Sequence, residues 1–154
     1  MKRFSLIAFV VFLLLPIGVL LLSGPSQEAD QDNPPAEPAA AAPLFRTVSA
    51  PEAAELMKTR KNLQVIDVRT PQERNELRIA DSRLVPVGDV IRGVFDGAPD
   101  QPLMLVCAVG GRSFVAGKVM IARGYQEIYN LGGGIESWRR AGLPLETGPE
   151  NPQP

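Results

Sequence analysis

The sequence predicts an α/β domain: five strands, spaced by helices, in a mostly parallel sheet covered on both faces. Three observations carry this. Strand-like and helix-like stretches alternate from about Phe45 to Leu145. Leu103-Met104-Leu105-Val106 is an unbroken apolar run, the pattern of a strand buried on both faces. Ser49…Glu52 and Thr70…Glu73 each place a hydroxyl three residues before a glutamate, the signature that opens a helix.

Taken in order, Lys2 and Arg3 precede an apolar run from Phe4 to Leu22, interrupted only by Ser5, Pro16 and Gly18. As a helix it covers roughly 28 Å, about the hydrocarbon thickness of a bilayer. The run exceeds the usual core of a signal peptide, and Leu22-Ser23-Gly24-Pro25-Ser26 is a poor cleavage site because of its proline. Residues 1–24 therefore read as an N-terminal transmembrane helix used as an uncleaved anchor, with a cleaved signal as the alternative. Either way the leading positive charges place the rest of the chain outside the cytoplasm, on the periplasmic side. Residues 25–43 are rich in Pro, Ala, Asp, Glu and Gln and read as an extended linker.

Residues 44–147 form the domain. Phe45–Val48 is a first strand, followed by a helix with Ala53, Leu56 and Met57 on its apolar face. Leu63–Val68 is the second strand, and Thr70 opens a short helix to about Leu77. Arg83–Val87 is the third strand, with a helical turn at Val90–Val94. Leu103–Val106 is the fourth. Ser113–Arg123 is a helix expected to bury Val115, Val119 and Ala122 and to end at Gly124. Glu127–Asn130 is the fifth strand, after which Gly132-Gly133-Gly134 turns into a short helix carrying Trp138. Residues 148–154 are polar and proline-rich and read as a disordered tail.

Composition excludes several chemistries. A formal net charge of −1 gives no reason to propose nucleic acid as a partner. The chain has no histidine, which removes Ser–His and Cys–His catalysis and histidine metal sites. One cysteine rules out an intramolecular disulfide and a multi-cysteine metal site, so no metal or cofactor is implied.

The chemistry then centres on Cys107, at the carboxyl end of the buried fourth strand, where a helix is about to begin. A thiol reacts as thiolate, and an unperturbed cysteine near pKa ~8.5 is mostly protonated at neutral pH. Gly110 and Gly111 can curl the backbone and turn N–H groups inward, the helix directs its positive end to the sulfur, and Arg112 adds a fixed charge. The rival reading of Cys107 is an inert core thiol. Arg112 reads as the anion-binding group, against a plain surface arginine. For Ser113, capping the helix is favoured over donating to a substrate.

Three stretches together carry a resemblance. Cys107-x-x-Gly110-x-Arg112-Ser113 resembles the active-site loop of rhodanese-like sulfurtransferases. Val65-Ile66-Asp67-Val68-Arg69-Thr70-Pro71-Gln72-Glu73 resembles that family's early strand and turn, and Leu131–Trp138 with Ala141-Gly142-Leu143-Pro144 its closing helix. The resemblance implies a rhodanese-like fold and a two-step transfer of sulfane sulfur. Cys107 takes sulfur from a small anionic donor, thiosulfate or a persulfide, and passes it from a Cys107 persulfide to cyanide, a thiol or a protein acceptor. Backbone N–H groups from Ala108, Val109, Gly110, Gly111 and Arg112 to Ser113 cradle that persulfide. Asp67 and Arg69 are expected to pair and support the loop. Two alternatives stand beside this: a non-catalytic interaction module, and a cysteine phosphatase. The second is opposed by four residues between Cys107 and Arg112, where phosphatases have five. The family often has a Gly-His-Ile step after the first short helix; this chain reads Leu77-Arg78-Ile79, which puts local packing in question.

Overall fold

A computed structural model describes residues 42–148. The anchor (residues 4–22), the linker up to residue 41 and the tail from residue 149 lie outside the described residues. Among those described, no helix is long and apolar enough to cross a membrane. The elements run β1 (Leu44–Val48), α1 (Ala50–Thr59), β2 (Gln64–Asp67), α2 (Pro71–Glu76), β3 (Arg83–Leu84), α3 (Val87–Arg92), β4 (Leu103–Val106), α4 (Gly111–Ala122), β5 (Glu127–Leu131) and α5 (Gly134–Arg140). The strands form one sheet in the order β1-β5-β4-β2-β3, and every pairing is parallel.

Strand side chains alternate, and the two faces of the sheet feed two cores. Val65, Met104, Val106, Tyr129 and Leu131 pack with Ala50, Ala53, Ile135 and Trp138 of α1 and α5. Ile66, Leu103, Leu105 and Ile128 pack with Val90 of α3 and with Ala116 and Met120 of α4. All four residues of β4 are buried, as the unbroken apolar run requires. Cys107 continues the Leu103–Leu105 side and belongs to the α3–α4 core.

After β2 the chain moves outward to β3, whereas after β4 it moves the other way, to β5. The two strands lie side by side, with Asp67 opposite Val106. Their carboxyl ends therefore open into the crevice where the connections part, the place where parallel sheets hold their ligands.

Several local expectations are corrected. The Ser49 hydroxyl makes no cap to α1. Glu52 instead pairs with Arg46, so that capping box does not form, whereas the Thr70–Glu73 box does. The third strand stops at Leu84. Pro86, which has no N–H, then caps α3 four residues ahead of the expected turn start at Val90. The buried stripe of α4 is Ser113, Ala116, Gly117 and Met120, while Val115 and Ala122 are exposed and Val119 is half-buried. The helix lies closest at Gly117, where a Cβ would sit 2.4 Å from the Phe45 ring. Gly148, expected to begin a free tail, donates its N–H to Asn75 O at 2.9 Å and accepts from Arg78. Arg78 also bridges Glu146 through both backbone groups, and Ile79 is buried, so packing at the Leu77-Arg78-Ile79 step is intact.

Candidate active site

Cys107 is 1% exposed, immediately beyond β4. The backbone turns back on itself at Gly110, which caps α4 with φ of +93°. A Cβ there would meet Gly133 N at 3.0 Å and Leu131 O at 3.1 Å, so both conformation and space demand glycine. Gly111 is different. It begins α4, and a Cβ on it would meet nothing within 4 Å.

The turn brings the Gly110 N–H to 3.1 Å from the Cys107 sulfur and the Ser113 hydroxyl to 3.3 Å. Burial pushes the thiol pKa up, but the Ser113 hydroxyl and the N–H groups of Ser113, Gly110 and Val109 outweigh it and hold the pKa below its ordinary value. Of the expected N–H run, Val109, Gly110 and Ser113 serve the sulfur. Ala108 contributes a carbonyl instead, accepting from Glu136 N–H at 3.2 Å, while Cys107 O accepts from Ile135 N–H at 2.9 Å. The loop is thus held from behind by the first turn of α5. Ser113 does not cap α4: its hydroxyl sits among Cys107 Sγ, Gly110 O at 3.1 Å and Asn130 Oδ1 at 2.7 Å.

Arg112 has a partner that the sequence did not suggest. Its guanidinium forms a bidentate pair with Glu73, one N–H reaching Oε2 at 2.9 Å. Glu73 is fixed from the other side by the Thr70 N–H at 3.0 Å and hydroxyl at 2.9 Å. Arg112 chiefly, with Thr70, pulls the Glu73 carboxyl down to about 2 against a smaller opposing effect of burial. Glu73 thus offsets much of the arginine charge, while Arg112 still feels the Cys107 sulfur electrostatically. The donors that act on the sulfur are the neutral hydroxyl and amides.

Asp67 and Arg69 pair as the sequence suggested. The Arg69 Nε and Nη2 reach the Asp67 carboxylate at 2.9 and 2.6 Å, and both side chains are buried. Arg69 also donates to Glu73 O at 3.2 Å and Leu77 O at 2.6 Å, collecting the carbonyls at the end of α2. It thereby fixes the helix that presents Glu73 to Arg112.

Sequence reasoning missed the Glu73–Arg112 pair, Asn130 with its partner Thr47, and the support from α5. For Asn130 a signal was present. It is a polar residue in an otherwise apolar stretch of β5, and buried polar groups must have partners.

A five-stranded parallel sheet with a cysteine-glycine-arginine-serine loop at its switch point defines a class. The family model for the rhodanese-like domain matches residues 49–141, and the chain belongs to that family. Among curated relatives, the chain is similar to thiosulfate sulfurtransferase GlpE of Vibrio cholerae, with 29% identity over 94 residues, 61% of this chain and 89% of the relative. The enzyme of the same name from Pseudomonas paraeruginosa is 34% identical over 90 residues, 58% of this chain and 81% of the relative. Among solved structures, a rhodanese-related protein from Thermoplasma volcanium is 29% identical, with a TM-score of 0.55 over 66% of this chain and 97% of that one.

Proposed function

We propose that the chain is a sulfurtransferase held outside the cytoplasm, which moves sulfane sulfur from thiosulfate or a persulfide to a thiophilic acceptor through a Cys107 persulfide. The observation that carries this is the sulfur itself. The Ser113 hydroxyl and the Gly110 N–H converge on it, and they lower its pKa without a general base. With thiosulfate, the Cys107 thiolate forms an S–S bond to the outer sulfur, and the bond to the inner sulfur breaks with its electron pair leaving as sulfite. Cyanide then attacks the outer sulfur of Cys107-S-S⁻, leaving as thiocyanate and returning the thiolate. A thiol acceptor leaves as its persulfide. This is covalent, two-stage chemistry. The relatives named as thiosulfate sulfurtransferases support the donor class. The extracytoplasmic placement rests on Lys2 and Arg3 ahead of the Phe4–Leu22 run.

The test exposes the reduced 154-residue chain to thiosulfate or a low-molecular-weight persulfide and weighs it intact. Gain of one sulfur atom that cyanide removes, and that Cys107→Ser abolishes, is the expected result. No gain from either donor would refute the transferase reading and favour an interaction module. Protease accessibility in spheroplasts tests the placement: a domain that stays protected refutes it.

A further inference from the structure

Behind the sulfur lies a short chain of polar side chains that the transfer chemistry leaves unassigned. The Ser113 hydroxyl has one proton and three acceptors within reach: Cys107 Sγ at 3.3 Å, Gly110 O at 3.1 Å and Asn130 Oδ1 at 2.7 Å. The Asn130 Nδ2 group donates to Thr47 Oγ1 at 3.2 Å. Ser113 and Asn130 are buried at 0% and 3% exposure, whereas Thr47 is exposed, so the chain runs from the buried sulfur to the surface at β1.

Its direction depends on the state of the sulfur. A thiol carries its own proton and can donate to Ser113 Oγ. Ser113 then donates to Asn130 Oδ1, and Asn130 to Thr47. A thiolate has no proton and can only accept: the Gly110 N–H already points at it, and the Ser113 hydroxyl adds a side-chain donor by turning to it. Ser113 Oγ and Asn130 Oδ1 would then face each other lone pair to lone pair at 2.7 Å, which a low-dielectric interior does not tolerate. A half-turn of the carboxamide removes the conflict. The NH₂ end then donates to Ser113 Oγ, and the carbonyl end accepts from the Thr47 hydroxyl. A carboxamide suits this because it presents a donor and an acceptor of nearly equal size on one planar group.

We propose that Asn130 and Thr47 are positioning residues that act through Ser113, their hydrogen bonds running away from Cys107 when it is a thiol and toward it when it carries negative charge. Among the described residues, the elements that meet at the loop carry Asp67 and Arg69 just at and beyond the end of β2, Glu73 on α2, Arg112 on α4, and Glu136, Arg139 and Arg140 on α5. Asp67 pairs with Arg69, Glu73 with Arg112 and Glu136 with Arg139. On the neighbouring strands, Arg46 pairs with Glu52 and Glu127 with Arg60. None of them is altered in the variants below.

The experiment measures iodoacetamide alkylation of the 154-residue chain against pH. Its one cysteine makes the label unambiguous. A carboxylate can only accept, so Asn130→Asp should keep the Ser113 proton from the sulfur and raise the alkylation midpoint by about one unit, roughly tenfold less thiolate at a given pH below it. Ser113→Ala should raise it too, and the double variant should match Ser113→Ala within about twofold, because the aspartate acts through the hydroxyl. Thr47→Val should slow alkylation near neutral pH by about threefold, with Thr47→Ser restoring the wild-type profile. Independent, multiplying effects of Asn130→Asp and Ser113→Ala would show a through-space charge effect and overturn the proposal. So would a wild-type profile for Thr47→Val, and because Thr47 is exposed, that arm decides even if Asn130→Asp fails to fold. The proposal rests on Cys107 as the reacting thiol but on no particular donor. A chain with these profiles that takes up no sulfur would refute the transferase reading and leave the relay standing.

Discussion

Gly134→Ala is the most severe single-methyl change the structure offers. Gly134 has φ of +57°, and an added Cβ would lie 2.3 Å from Cys107 O and 2.5 Å from the Ala108 carbonyl, where ordinary contact begins at 3.4 Å. Both obstacles are backbone, so α5 and the loop must part by about 1 Å. Left-handed backbone at a residue with a Cβ costs roughly 1–2 kcal/mol. Separation also weakens the hydrogen bonds from Ile135 N–H to Cys107 O and from Glu136 N–H to Ala108 O. At about 0.5–1.5 kcal/mol each, the whole loss comes to roughly 2–5 kcal/mol. That is a large share of the ~5–15 kcal/mol typical of a domain. Urea unfolding followed by Trp138 fluorescence measures it, since the single tryptophan is 4% exposed and sits on α5 itself. Cys107 alkylation at neutral pH should fall by about tenfold, as a displaced loop no longer aims its N–H groups. A loss below about 1 kcal/mol with wild-type alkylation would refute the view that α5 shapes the loop.

Three further outcomes are expected. Arg69→Met strands the Asp67 carboxylate at 1% exposure, and a destabilisation of about 3–5 kcal/mol in urea is expected, largely recovered when Asp67 is also replaced by Leu. The Glu73 carboxyl sits at about 2 in the folded chain against an ordinary 4.5. Its stabilisation is therefore present above about pH 4.5 and lost as pH falls toward 2; discounted for partial exposure it is roughly 1–2 kcal/mol. Acid unfolding of Glu73→Gln should lack that increment, and with the Arg112 charge no longer offset, the variant's KM for thiosulfate should drop severalfold at low salt. Gly111→Ala, where a Cβ meets open space, should raise stability by about 0.4–1 kcal/mol in thermal unfolding, while Gly110→Ala should lower it.

What could be read in the sequence was whatever one local pattern determines. The apolar run of β4, the Thr70–Glu73 capping box and the Asp67–Arg69 pair are all set by neighbours in the chain. What could not be read depends on distance. Arg112 lies thirty-nine residues from Glu73, and Asn130 eighty-three from Thr47. The stripe of α4 was misread for a related reason. Hydrophobicity singled out its valines, but the close approach of Phe45 leaves no room for a side chain at Gly117, and the stripe facing the sheet runs through Ser113, Ala116 and Met120 instead. Position alone favours a cap for Ser113; Asn130, which draws its hydroxyl inward, comes from β5, a separate element.

The hold of α5 on the loop has a consequence for order of events. Every residue of the loop precedes Ile135 and Glu136 in the chain, yet the Cys107 and Ala108 carbonyls find their donors only there. A chain synthesised from its amino end thus lacks the segment that closes the loop until those two residues have been added. The arrangement that lowers the thiol pKa therefore leans on one of the last segments of the domain, and thiol alkylation becomes a gauge of whether α5 has docked.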